Sequence, residues 1–216
     1  MSAKEQRLDR NELSELMARL YSLYERAELI YDETGLEPLF FKDRLFVSDE
    51  VVARDYGLGL GKDGDPFWTI PWKLAGIYTQ FLRRVMVQMA LKTARTRIEY
   101  LLIVLKDGNF FVLEGEEDRV IAPYPEGVAG AHTHPDVCLM SHKDLETADR
   151  AFLMSYFASA VVSPSCLYMI YRNGPYTEED RRVLLSMAKT VKRVKTYEEL
   201  LQTELIKFPN LVTVIL

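Results

Sequence analysis

Long apolar runs are missing from this chain of 216 residues. The longest, Tyr100 to Leu105 and Cys166 to Tyr171, fall far short of the ~20 residues a membrane-spanning helix needs. The start, MSAKEQRLDRNELSE, has no apolar signal-peptide core, so a cytoplasmic protein with no membrane partner is expected. Cysteine is scarce. Cys138 and Cys166 are the only two and have no C-x-x-C spacing, so neither a disulfide scaffold nor a structural zinc ribbon is expected, and a reducing compartment fits. Excess positive charge is also lacking: 27 Lys and Arg stand against 32 Asp and Glu, a formal net charge of -5. This disfavours nucleic acid as the main partner, because phosphate binding is driven by clustered basic side chains. There is no internal repeat and no low-complexity tract. The glycines of GLGLGKDGD do not form a phosphate loop, since the G-x-x-x-x-G-K spacing is absent and Lys62 is followed by Asp63; a turn is the simpler reading. Apolar residues are plentiful at 48%, enough for the core of one good-sized domain or a domain with an extension.

The order of elements follows from periodicity. Leu13, Leu16, Met17, Leu20, Tyr21, Leu23, Tyr24 and Ala27 form a 3.6-residue stripe, an amphipathic helix for which Asp9 and Glu12 are spaced as a capping box. From Tyr31 to Trp72, glycine and proline separate short pieces such as LFF and RLFV, giving a loop-rich extension with short strands. A helix is expected from about Lys73 to Ala94, with Leu74, Ile77, Tyr78, Phe81, Leu82, Val85 and Met89 buried. EYLLIVL and NFFVLEG read as strands joined by a hairpin at Asp107-Gly108, and GVAGAHTHP as a third strand. A helix starting at Ser141 follows, then the strands AVVS and CLYMIYR, a helix capped by Thr177 with Asp180, and a last strand, LVTVIL. The basic stretch at 189–195 reads as a solvated helix face. Residues 1–72 are thus an N-terminal extension and 73–216 the main domain.

All three histidines lie between residues 132 and 142. His132 and His134 are two apart at the end of a strand, so both face one side, and Asp144 lies one turn into the next helix. Two imidazoles and a carboxylate suit zinc and leave a fourth position for water, as in a catalytic site. Zinc there lowers the pKa of a bound water to ~7. His142 is an alternative third ligand, but it stands at i, i+2 to Asp144 and cannot face the same way on a helix. Ser141, at the N-cap, can cap the helix or reach an oxyanion. Cys138 reads as a packing residue near the metal loop, not a ligand.

HTHPDVCLMSHKD resembles the H-[ST]-H-P-x(6)-S-x-x-D signature of JAMM (MPN+) zinc metalloproteases, and Cys138 stands three residues before the serine, as in the proteasome-lid and signalosome branch. Five residues, not six, separate Pro135 from Ser141, a difference a loop absorbs at little closure cost. The resemblance covers about residues 73 to 175. It implies an α+β fold with a cytidine-deaminase-like MPN core, a mixed sheet flanked by helices. It further implies zinc held by His132, His134 and Asp144, catalytic roles for Ser141 and Glu99, and cleavage after the C-terminal glycine of a ubiquitin-like protein. Glu99 matches the family's helix, glutamate, strand order, although Tyr100 replaces the usual following glycine; its plainer role is to pair with Arg95 or Arg97. A catalytically inactive MPN-type scaffold is the alternative function. The extension, with Phe67, Trp68 and Trp72, offers a surface for a substrate or a second copy of the chain.

Overall fold

In a computed structural model, residues 6–117, 125–193 and 207–216 are described. Eleven strands and six helices are found among them. The chain opens with β1 (Gln6–Arg10) and α1 (Glu12–Thr34), followed by the short elements β2 (Leu39–Phe41), β3 (Arg44–Val47), α2 (Glu50–Asp55), β4 (Gly59–Leu60) and β5 (Asp65–Pro66). Helices α3 (Ile70–Val85) and α4 (Val87–Thr96) lead into β6 (Ile98–Leu105), β7 (Asn109–Glu117) and β8 (Gly127–Thr133). Then come α5 (His142–Leu153), β9 (Ala158–Val162), β10 (Leu167–Arg172), α6 (Glu178–Val191) and β11 (Leu211–Ile215).

Seven strands form one mixed sheet in the order β1-β7-β6-β8-β9-β10-β11. Only β8 and β9 pair in parallel, and a parallel pair needs a crossover, which α5 supplies. Alternation along the central strands sends side chains to two cores. Tyr100, Leu102 and Val104 of β6 join Met17 and Tyr21 of α1 and Leu74, Tyr78 and Phe81 of α3. On the opposite face, Leu101 and Ile103 meet Ala151 of α5, while Val161 and Ile170 meet Leu145 and Leu184 of α5 and α6. The protein is therefore α+β, a mixed sheet between two helical layers. β2 to β5 make a separate four-stranded sheet.

Most expected elements are present; α2 arises in the stretch expected to hold only loops and short strands, and four further differences stand out. First, α1 is capped by Asn11, whose side chain accepts from the Leu13 and Ser14 amides, with Ser14 completing the box in place of Asp9 and Glu12. Second, the helix expected from Lys73 begins at Ile70, where Pro71 suits the first turn. Third, that helix is interrupted at Met86, a fully buried residue. Fourth, β1 has no apolar alternation and becomes a strand through pairing with β7, with Leu8 opposite Phe111. The hairpin between β6 and β7 turns as expected, and Gly108 takes a φ of 87° there that favours glycine. The Ser14 hydroxyl donates to the Gly108 carbonyl at 2.7 Å, which fixes the start of α1 on that turn. Part of the basic stretch at 189–195 lies outside the described residues.

Candidate metal centre

At the end of β8 the strand alternation puts His132 and His134 on the α5 face and Thr133, which is fully buried, on the α3/α4 face. Pairing with β9 continues past the strand end, because the His134 amide donates to the Val162 carbonyl at 3.0 Å. Ser141 caps α5: its hydroxyl accepts from the Asp144 amide at 3.3 Å, and its own amide donates to Asp144 Oδ2 at 2.7 Å. This capping box turns the Asp144 carboxylate back towards the strand end.

Three potential ligand side chains meet there. His132 Nε2 lies 3.0 Å from His134 Nε2 and 3.1 Å from Asp144 Oδ1, and His134 Nε2 lies 3.4 Å from Asp144 Oδ2. A tetrahedral zinc site with arms of 2.0–2.1 Å has edges of about 3.3–3.4 Å, so the two imidazole nitrogens and the Asp144 carboxylate, which turns Oδ1 to His132 and Oδ2 to His134, are close to the spacing needed to share one such ion. The one-residue-shorter loop does not keep Asp144 from the imidazoles. Among the described residues these three form the one group of His, Cys, Asp or Glu placed to hold a metal; His142, the first residue of α5, is not in it.

The electrostatics agree with a cation site. Burial works against charge on Asp144, but the imidazoles of His132 and His134 beside it outweigh burial and hold its carboxyl far below the usual carboxylate range. Burial likewise opposes charge on His132, yet Asp144, with Glu99 adding to its pull, raises the His132 pKa above the ordinary histidine value.

Glu99 precedes Tyr100 in β6. Leu101 is the register partner of His132, so Glu99, two residues earlier, shares its face with the histidines. The β6–β7 register shifts between Ile98 and Tyr100, with the extra residue on β7: Ile98 pairs with Glu117 and Tyr100 with Glu114, so β6 keeps its alternation through Glu99. Arg97 adopts a left-handed conformation (φ 61°) at the end of α4 and pairs with Asp136 of the metal loop, at 2.7 Å.

The two cysteines differ from the expectation. Cys138 and Cys166 form a disulfide with Cα atoms 5.6 Å apart, joining the metal loop to the turn between β9 and β10. A separation of 28 residues carries no local spacing signal. Cys138 is thus a covalent staple of the loop, and the argument for a reducing compartment loses its ground. No helix among the described residues is long and apolar enough to cross a membrane.

The sequence pointed neither to Thr93, nor to the Arg97–Asp136 pair, nor to the Cys138–Cys166 bond. Thr133 was visible within the H-T-H motif, but its outward partner on α4 is distant in sequence. No protein-family model, curated protein or solved structure matches the chain.

Proposed function

We propose that the chain is a zinc-dependent isopeptidase of the JAMM (MPN+) type, built on an MPN-like core, that hydrolyses the bond after the C-terminal glycine of a ubiquitin-like protein. The observation that carries this reading is the convergence of His132 Nε2, His134 Nε2 and the Asp144 carboxylate at zinc spacing. A glutamate within electrostatic reach accompanies them. The three residues would hold zinc and leave one position open, as catalytic sites do and closed structural sites do not.

Zinc bound there would supply Lewis acidity towards the scissile carbonyl and lower the pKa of a water to ~7. Glu99 takes the proton of the attacking water and returns it to the leaving amine. Its carboxylate needs only to lie near the nucleophile and is not itself a ligand. Ser141 spends an oxygen lone pair on the Asp144 amide, which leaves its O–H to donate to the developing oxyanion. An extended glycine tail fits the reaction, because a chain without side chains can lie along a strand and bring its last carbonyl into a narrow site. The acidic net charge favours a protein substrate over nucleic acid. A pure scaffold has no need of two histidines and an aspartate converging on one point.

Metal analysis and cleavage of a ubiquitin-like conjugate test the proposal. Wild-type protein should carry about one zinc per chain, and His132→Ala or Asp144→Ala should lose both metal and hydrolysis. Glu99→Gln should keep the zinc and lose roughly 10²- to 10⁴-fold in rate. Absence of stoichiometric metal, or a Glu99→Gln variant at wild-type rate, would reject it.

A further inference from the structure

The residue between the two histidines belongs to a polar circuit that encloses Glu99. Thr133 Oγ1 accepts from the Tyr100 amide at 2.9 Å. It also lies 2.7 Å from Thr93 Oγ1 of α4, which in turn lies 2.8 Å from the Ile98 carbonyl oxygen. Each hydroxyl has one proton to give. Thr93 Oγ1 also lies 3.1 Å from the Met89 carbonyl of its own helix, so its one proton faces two acceptors, of which Ile98 is the nearer; with Thr93 donating to Ile98, Thr133 donates to Thr93 and the Tyr100 amide donates to Thr133. Both threonines are fully buried, where an unpaired hydroxyl is costly.

The placement of the two ends matters. The Ile98 carbonyl belongs to the peptide group before Glu99, and the Tyr100 amide belongs to the peptide group after it. Fixing both peptide planes restrains φ and ψ of Glu99, the two soft torsions that set where its side chain emerges. On the β7 side the ladder is irregular at this point, because the register shifts opposite Glu99. An ordinary ladder would bond the Tyr100 amide to a backbone carbonyl; here a side chain of the histidine strand takes it. The strand that carries the ligands thereby sets the position of the carboxylate that works beside them.

We propose that Thr93 and Thr133 are positioning residues, a two-hydroxyl clamp that holds Glu99 against the metal centre. The inference rests on the reading of Glu99 as the general base. It makes neither threonine a ligand and brings neither into contact with substrate.

Amide hydrogen exchange and a double-mutant cycle test it. Thr133→Val keeps the shape and removes the hydroxyl, so the Tyr100 amide should exchange at least about tenfold faster. Zinc content should be unchanged, and Thr133→Ser should restore protection. On a ubiquitin-like conjugate, Thr133→Val should lower kcat by about 10²-fold with KM little changed, the scale of a misplaced catalytic group. Thr93→Val, which releases the other end, should lower kcat in the same way and provides a second route should Thr133→Val not fold. In a Glu99→Gln background neither valine should cost anything further. Additive losses in that background, or a Tyr100 amide equally protected in Thr133→Val, would overturn the clamp. If the wild-type protein cleaves no conjugate, the isopeptidase reading fails, and the clamp is then judged by Tyr100 exchange alone.

Discussion

Ser141 makes two bonds to the same aspartate, one through its hydroxyl and one through its backbone. Its lone pair accepts from the Asp144 amide, and its backbone amide donates to the carboxylate of the same aspartate. Replacing it by alanine removes the cap, at a cost of about 1 kcal/mol in stability. Under the proposed function the same change removes an oxyanion donor, worth about 3 kcal/mol of barrier. Ser141→Asp separates the roles, since aspartate is an equally good N-cap but puts negative charge against a developing oxyanion. The expected outcome is an aspartate variant that melts with the wild type, an alanine variant that melts lower, and near-complete loss of kcat in both. An active Ser141→Asp enzyme would leave the serine as a cap alone. His132, His134, Asp144 and Ser141 were all legible in the sequence, because their spacing is local. Glu99 came only from the resemblance to the family's helix, glutamate, strand order, and its catalytic role belongs to the proposal. The threonine clamp was not legible, because Thr93 and Thr133 are 40 residues apart and meet only through packing of α4 on the sheet.

At the scale of elements, the loop from Pro135 to Met140 is tied down near its start and in its middle. The Arg97–Asp136 ion pair ties it to the start of β6, and the Cys138–Cys166 bond ties it to the β9–β10 turn. The ion pair is half exposed and contributes little. The disulfide matters more: closing a loop of this length restrains the unfolded chain by about 3–4 kcal/mol in the loop-entropy picture. A Cys138→Ser/Cys166→Ser double variant should therefore lose stability on that scale in urea unfolding, and adding a dithiol to the wild type should give a similar loss. A double variant as stable as the wild type under oxidising conditions would show that the bond contributes nothing. The strands and helices themselves were readable from periodicity, including the caps at Ser141 and Thr177, because a cap is a short-range pattern. β1 was not, because its charged residues match no strand template until β7 supplies the partner.

For the whole molecule, α1 is joined to the sheet by more than apolar contact. Arg172 at the end of β10 donates to both carboxylate oxygens of Glu28 at 3.2 and 3.0 Å, and also to the Gly174 carbonyl. The side chains are only 7% and 15% exposed, so the pair is desolvated and its loss leaves a buried charge. Burial raises the Glu28 pKa above the ordinary glutamate value, with Arg172 pulling it back down. A raised carboxylate pKa means that the folded protein binds more protons than the unfolded chain. The Glu28 contribution to stability is therefore lost as pH rises from about 4.3 through the folded pKa. Arg172→Met removes the opposing pull and steepens that loss. The variant should be about 3 kcal/mol less stable than wild type at pH 7 and much closer to it at pH 4, measured by denaturant unfolding at both values. A deficit equal at the two pH values would show that Arg172 acts through packing.

By itself the sequence determined the alternation of strands and helices and the residues that converge as metal ligands, because both are written in spacings of two to four residues. Whether the ligands actually meet depended on β8 and α5 being placed across one strand end, and that was settled by the parallel β8–β9 pairing and its crossover helix. The disulfide, the Glu28–Arg172 pair and the two threonines that enclose Glu99 were decided only by the tertiary structure. Each joins residues dozens of positions apart, and no local periodicity distinguishes a hydroxyl or thiol that will find a distant partner from one that will face water.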